Sequence, residues 1–224
     1  MTQCYLVDTE TTGLTDPIEV ISLATAPITN DLSPCDTAPS EEFFTPSKPL
    51  EWGAMATHGI LMADLEGKRP ASAAKLPSDC THIIAHNADF DWKALGQPPV
   101  KRICTLALAR DAWPKLDSHT LGALMYYVCG PTPETRELLK GAHGAAVDVG
   151  LLAMLLPTFI DEFEATSVEH LWQLCEEARI PKIMSFGKYK GRPVHEVDGG
   201  WISWYRRQED PDQYLLKAFK RIGR

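Results

Sequence analysis

Several things are missing from this 224-residue chain, and each absence narrows its class. No basic start followed by an apolar stretch is present, so no secretory signal is visible and a cytoplasmic location is expected. No apolar run approaches the ~20 residues that a membrane-crossing helix needs. The longest, 149–160, is interrupted by Pro157 and reads as a buried helix, so no membrane partner is expected. The six cysteines (4, 35, 80, 104, 129 and 175) include no two at a zinc-ligand or redox spacing. Free thiols in a reducing compartment follow, without a structural zinc site. An overall positive charge is missing too, and the net of −8 argues against a generally basic nucleic-acid binder.

What is present is the composition of a soluble globular protein with a full core, 44% hydrophobic and 23% charged. The charge is unevenly spread. Residues 182–224 hold ten Lys and Arg against five acids, a net of +5, whereas residues 1–181 hold 12 against 25, a net of −13. A basic tail behind an acidic body suggests that polyanion contact is delegated to the C-terminus. A charged surface helix with no partner produces the same skew.

Along the chain, Tyr5-Leu6-Val7 reads as a short buried strand closed by the turn Thr11-Thr12-Gly13. Residues 18–28 begin with the alternation of a strand covered on one face, 30–40 form a turn, and 41–45 a third strand, which together suggest a meander. Residues 54–65 carry helix formers with a break at His58-Gly59. Strands at 81–86 and 102–105 alternate with helices at 88–95 and 106–113. A helix at 119–128 sits behind a Ser118 cap, a loop at 131–140 leads to a short helix, and 147–163 is a long apolar helix kinked or broken at Pro157. Thr166 and Glu169 have capping-box spacing and open a helix to Arg179, after which Pro181 marks a boundary. The pattern predicts an α/β protein with a mixed sheet and helices on its faces, divided into a domain at 1–165, a helical linker at 166–181 and a small basic segment at 182–224.

Asp8 and Glu10 stand out, because alternation on a strand puts both side chains on one face. Two adjacent carboxylates at the end of an apolar strand repel each other; a divalent metal would offset that, and so would a solvated acidic turn. His86-Asn87-Ala88-Asp89-Phe90-Asp91 follows the fourth strand, at the end of the sheet where open α/β folds bind ligands. Asp148 is the only ionisable residue between His143 and Asp161, an otherwise apolar stretch, so it must be paired, protonated or metal-bound. His143, five residues earlier, would point about 140° away within one helix. The loop 141–144, bounded by glycines, instead lets it swing over the same site.

The ordered stretches D-T-E-T-T-G, A-H-N-A-D-F-D and H-x-x-x-x-D resemble the three signatures of the DEDD 3′–5′ exonuclease superfamily in its histidine subclass, to which the proofreading exonuclease subunit of bacterial replicative polymerase belongs. The C-terminal Ser185-Phe186-Gly187-Lys188-Tyr189-Lys190-Gly191-Arg192-Pro193 is similar to the segment that follows the nuclease domain in the exodeoxyribonuclease X group. The resemblance covers nearly the whole chain. It implies a ribonuclease H-like mixed sheet of five strands flanked by helices. It makes Asp8, Glu10, Asp91 and Asp148 the carboxylates for two Mg²⁺ or Mn²⁺ ions and His143 the general base. It also implies that Thr11, Thr12, Gly13 and Leu14 cradle the terminal nucleotide, with Leu14 wedged against its base and His58 and Asn87 touching the same nucleotide.

The chemistry suits these residue types. Phosphodiester hydrolysis needs an activated water and relief of charge on the transition state, which two divalent ions supply, and an imidazole accepts a proton near neutrality. The expected activity is exodeoxyribonuclease, releasing 5′-mononucleotides from DNA ends in repair or proofreading. The same fold acting on RNA, or an accessory factor bound to a DNA polymerase, are the alternatives. In the C-terminal segment the tryptophans read as structural, while Lys188, Lys190 and Arg192 on a glycine-bounded turn are suited to phosphate contact. His86 reads as a hydrogen-bonded structural residue.

Overall fold

The computed structural model describes residues 3–33 and 38–223. Cys35, the middle of the turn expected at 30–40, and Arg224 of the basic tail therefore lie outside the described residues. The chain forms two compact units, one ending at Cys175 and one beginning at Glu176.

The first unit is built on a mixed sheet. Strands β1 (Cys4–Thr11), β2 (Val20–Ile28) and β3 (Ser40–Thr45) form the expected antiparallel meander. Helix α1 (Trp52–His58) ends at Gly59, whose positive φ closes the last turn. Then come β4 (Arg69–Pro70), β5 (His82–Ala85), α2 (Ala88–Ala94), β6 (Lys101–Cys104) and α3 (Thr105–Ala112). The sheet order is β4-β3-β2-β1-β5-β6, with β5 and β6 parallel to β1. Among the described residues the sheet therefore has six strands where five were expected. The sixth, β4, is a dipeptide ending in proline beside β3, too short to leave any periodicity in the sequence.

Helices α4 (Leu121–Cys129), α5 (Pro133–Leu138), α6 (Ala145–Glu162) and α7 (Val168–Ala178) follow. On one face of the sheet Val7, Leu23, Phe44 and Ile83 pack with Trp92 of α2. The alternate residues of β1 face the other way, where α6 crosses β1 and β2.

Four local expectations are corrected. Strand β2 is not half-covered, since Val20 to Ala24 are all buried at the centre of the sheet. Thr120, not Ser118, caps α4 by accepting the Ala123 N–H. Helix α6 runs unbroken through Pro157. Leu151, Leu152, Leu155, Leu156 and Phe159 are buried on both sides of the proline, and at about 1.5–3 kcal/mol each they outweigh the ~3 kcal/mol that it costs. Finally, Ser167 rather than Thr166 caps α7, accepting the His170 N–H, and Glu169 is drawn off to Lys101 and His82.

The second unit contains α8 (Gly199–Tyr205), capped by Asp198, and α9 (Gln213–Arg221), capped by Asp212. Its core gathers Met184, Val194, Val197, Ile202, Leu215 and Phe219, with Trp201 packed against them. Trp201 is structural, as expected; Trp204 is half exposed and touches the Trp201 ring.

Candidate active site

The site is built where β1 and β5 part company. The two strands pair only from Cys4 to Leu6, so beyond Leu6 the edge of β1 facing β5 is open. Asp91, in the first turn of α2, fills the opening: its Oδ1 accepts the Thr9 N–H at 3.0 Å and the Thr9 hydroxyl at 2.8 Å. With 3% of its surface exposed, Asp91 is the most deeply buried acid of the set. Asp8 and Glu10 flank Thr9 and face the opposite side of the sheet, toward α6. A register shift between Glu10 and Thr11 adds a residue to β2 at this point, the kind of bulge that re-aims side chains beside a site.

Asp148 sits in the first turn of α6. His143 precedes that helix with a positive φ of 69°, and its backbone N–H donates to Asp148 Oδ1 at 3.2 Å. The His143 imidazole is exposed and near enough to favour the Asp148 carboxylate.

The carboxylates feel one another. Burial holds Asp8 well above the usual range, and Asp91, Asp148, Glu10 and Glu41 add to the rise. Burial and then Asp148, Asp91 and Glu41 push Glu10 up to about 8. Burial raises Asp91 to about 7 against the pull of the Thr9 hydrogen bonds, and burial also raises Asp148. Among the described residues, no three His, Cys, Asp or Glu side chains already stand in a group arranged to hold one ion. The donors are nevertheless hard carboxylate oxygens in a shared negative field, a set that fits a divalent cation such as Mg²⁺ or Mn²⁺.

Beside this cluster, the turn after β1 is tied to the residue before α1. Glu51 accepts the N–H groups of Leu14 and Thr15 at 3.2 and 3.0 Å, and its own N–H donates to the Thr12 carbonyl. Gly13 has φ of 145°, and any Cβ there would collide with the Glu51 side chain, so only glycine fits. The result presents Leu14 to solvent at 79% exposure. His58, at the end of α1, accepts the Ile60 N–H through Nδ1 and lies close to the Thr11 backbone. Asn87, exposed with φ of 74°, makes the turn between β5 and α2.

No family model matches the chain. It is similar to Exodeoxyribonuclease 10 of Escherichia coli (strain K12), with 28% identity over 204 residues that span 89% of this chain and 88% of that protein. Its fold resembles the structure of Exonuclease X in complex with 5′ overhanging duplex DNA, with a TM-score of 0.61, 26% identity, and coverage of 77% of this chain and 99% of that one. The zinc-bound complex of E. coli ExoI with single-stranded DNA shares the fold at a TM-score of 0.58 and 17% identity, over 80% of this chain and 44% of that one. In sequence and fold the chain thus resembles exonucleases of the DEDD-type 3′–5′ superfamily. Its class is therefore that of a nuclease, a hydrolase of phosphodiester bonds.

Asp8, Glu10, Asp91 and Asp148 share one electrostatic neighbourhood, with His143 at its edge. Thr11, Thr12, Gly13, Leu14 and His58 form a second group at the adjoining turn. Lys188, Lys190 and Arg192 belong to the C-terminal unit, where Lys188 is paired with Asp198 at 3.1 Å and the other two are exposed. His86 is structural: Nε2 donates to the His119 carbonyl at 2.9 Å, Nδ1 lies 3.1 Å from the Thr105 hydroxyl, and burial pushes the ring down to about 4.

Three contributors were not foreseen. Thr9 orients Asp91, Glu51 braces the turn, and Glu41 of β3, which accepts the Ser22 hydroxyl at 2.7 Å, adds a fifth carboxylate to the field. Only Thr9 left a trace in the sequence, lying between the two acids; Glu41 and Glu51 are ordinary surface acids until the fold closes.

Proposed function

We propose that the protein is a 3′–5′ exodeoxyribonuclease of the histidine subclass, releasing 5′-mononucleotides from DNA ends with the help of two Mg²⁺ or Mn²⁺ ions. The observation that carries this reading is the mutual repulsion of Asp8, Glu10, Asp91 and Asp148 in one patch, with His143 beside Asp148. Buried carboxylates of like charge persist only where something offsets them. DNA as substrate is supported by the name of the exodeoxyribonuclease relative and by the duplex in the exonuclease X structure.

Asp8, Glu10, Asp91 and Asp148 would hold the ions. When bound, such ions offset charge on the reacting phosphate and acidify water. The rest falls to the chain's own side chains. His143, on its glycine-bounded loop, takes the proton of the attacking water, and Asp148 orients that loop through the His143 N–H. Thr9 fixes the rotamer of Asp91. Thr11 to Gly13, His58 and Asn87 line the place of the terminal nucleotide, and the exposed Leu14 presses on its base. Lys188, Lys190 and Arg192 of the C-terminal unit contact backbone phosphates. Such an enzyme would act in the cytoplasm in DNA repair or, beside a DNA polymerase, in proofreading.

The test is a time course on single-stranded DNA labelled at its 5′ end, with Mg²⁺, with EDTA and with Asp148→Ala, alongside an RNA of the same sequence. Stepwise shortening from the 3′ end that needs metal and Asp148 is expected. Shortening that persists in EDTA or in the variant, or that occurs on RNA alone, would overturn the reading.

A further inference from the structure

A cleft of about 540 Å³ runs from Asp8, Asp148 and His143 toward the segment Asp117–Thr120, and Arg110 of α3 lines it. Arg110 occupies the last turn of its helix, where a cation complements the partial negative charge of the helix end. That explains a positive residue there but not its direction into an acidic cleft. The exposed guanidinium also lies close enough to the His86 ring, which lines the same cleft, to oppose its protonation.

What matters most is what Arg110 does not touch. Among the described residues its side chain makes no ion pair or hydrogen bond, although Asp8, Asp117 and Asp148 line the same cleft. A guanidinium is always charged and presents a planar fork of donors matched to carboxylate or phosphate oxygens. Standing at the reacting phosphate, it would first have paired with the carboxylates that surround that position. Its separation from them puts it one step along the strand.

We propose that Arg110 grips a backbone phosphate next to the scissile one and so positions the strand across the carboxylates. This deepens the nuclease reading and rests on it. The residue serves binding rather than the chemical step, so its removal shows in KM and leaves kcat nearly intact. A second consequence follows for salt dependence, because each phosphate neutralised on a single strand contributes about 0.7 to the slope of log affinity against log salt.

The experiment compares wild type, Arg110→Ala, Arg110→Gln and Arg110→Lys on a single-stranded DNA, by steady-state kinetics in Mg²⁺ and by fluorescence anisotropy of the labelled strand in EDTA. Thermal unfolding confirms that each variant folds. Arg110→Ala and Arg110→Gln should raise KM about 10- to 100-fold with kcat within about 3-fold of wild type. The salt slope should flatten by about 0.7, binding in EDTA should weaken, and Arg110→Lys should recover part of the loss. An unchanged KM and salt slope, a loss confined to kcat, or full affinity in EDTA would each overturn the assignment. If the wild type degrades RNA and leaves DNA intact, the substrate reading fails, and the Arg110 effect is read on RNA by the same criteria.

Discussion

The two ends of the sheet in the first unit treat acidic side chains in opposite ways. At the amino ends of β5 and β6, Glu169 is gripped by Lys101 at 2.6 Å and approached by His82 at 3.2 Å, and the Lys101 ammonium above all holds its carboxyl below the usual range. At the carboxyl end of β1, Asp8, Glu10, Asp91 and Asp148 have one another for company, and all are raised. An acid that serves the fold is neutralised by the fold. Acids left uncompensated in a buried patch are held against their own repulsion by the surrounding structure, and the proposed role of this end rests on that difference.

The largest expected effect falls on the uncompensated end. His143→Ala should lower kcat by about 10²- to 10⁴-fold, the usual contribution of a general base, while DNA binding measured by anisotropy survives. A variant with wild-type turnover would remove the imidazole from the mechanism. Next comes Thr9→Val, which deletes the hydroxyl bond to Asp91 and keeps the strand. Loss of an outer-shell partner should weaken Mn²⁺ affinity, followed by calorimetry, about 10- to 100-fold. Equal affinity would mean that the backbone N–H alone orients Asp91.

Titration sharpens the contrast further. An acid whose folded pKa is raised binds more protons folded than unfolded, so metal-free stability falls as pH climbs from the unfolded value toward the folded one. For Glu10 that window runs from 4.5 to about 8, and for Asp91 from 3.8 to about 7. In EDTA the melting temperature should drop by on the order of 5 °C or more between pH 5 and pH 8. Millimolar Mn²⁺ should reverse the trend, because cations bind the ionised form. A flat profile in EDTA would show that the acids do not repel one another as described. The smallest effect belongs to the amino end: Glu169→Gln should cost about 1 kcal/mol or less, since the Lys101 pair is partly exposed and screened. Its nuclease activity should stay at the wild-type level.

Much of this was readable before folding. The meander, the β5 and β6 strands and the helices after them follow from apolar periodicity and turn residues, because those are local properties. Pairing within helix caps was less legible. Thr166 and Glu169 have the spacing of a capping box, yet Ser167 caps α7 because Glu169 finds a stronger cationic partner in Lys101. Pro157 looked like an interruption, but burial on both sides carries α6 through it. Glu41, Glu51 and Arg110 carried no motif of their own, and Thr9 was marked only by its place between Asp8 and Glu10.

By itself, then, the order of residues determined which side chains were available: acids at 8, 10, 91 and 148, an imidazole at 143 between glycines, and a basic stretch at the end. Only the tertiary structure decided which acids were left without a cation, where β1 separates from β5 to admit Asp91, and that Leu14 points outward instead of into the core. The reason is one of range. Periodicity and capping act over a few residues and are written locally, whereas the shift of a carboxylate depends on burial and on charges tens of residues away, which exist only once the chain has closed around them.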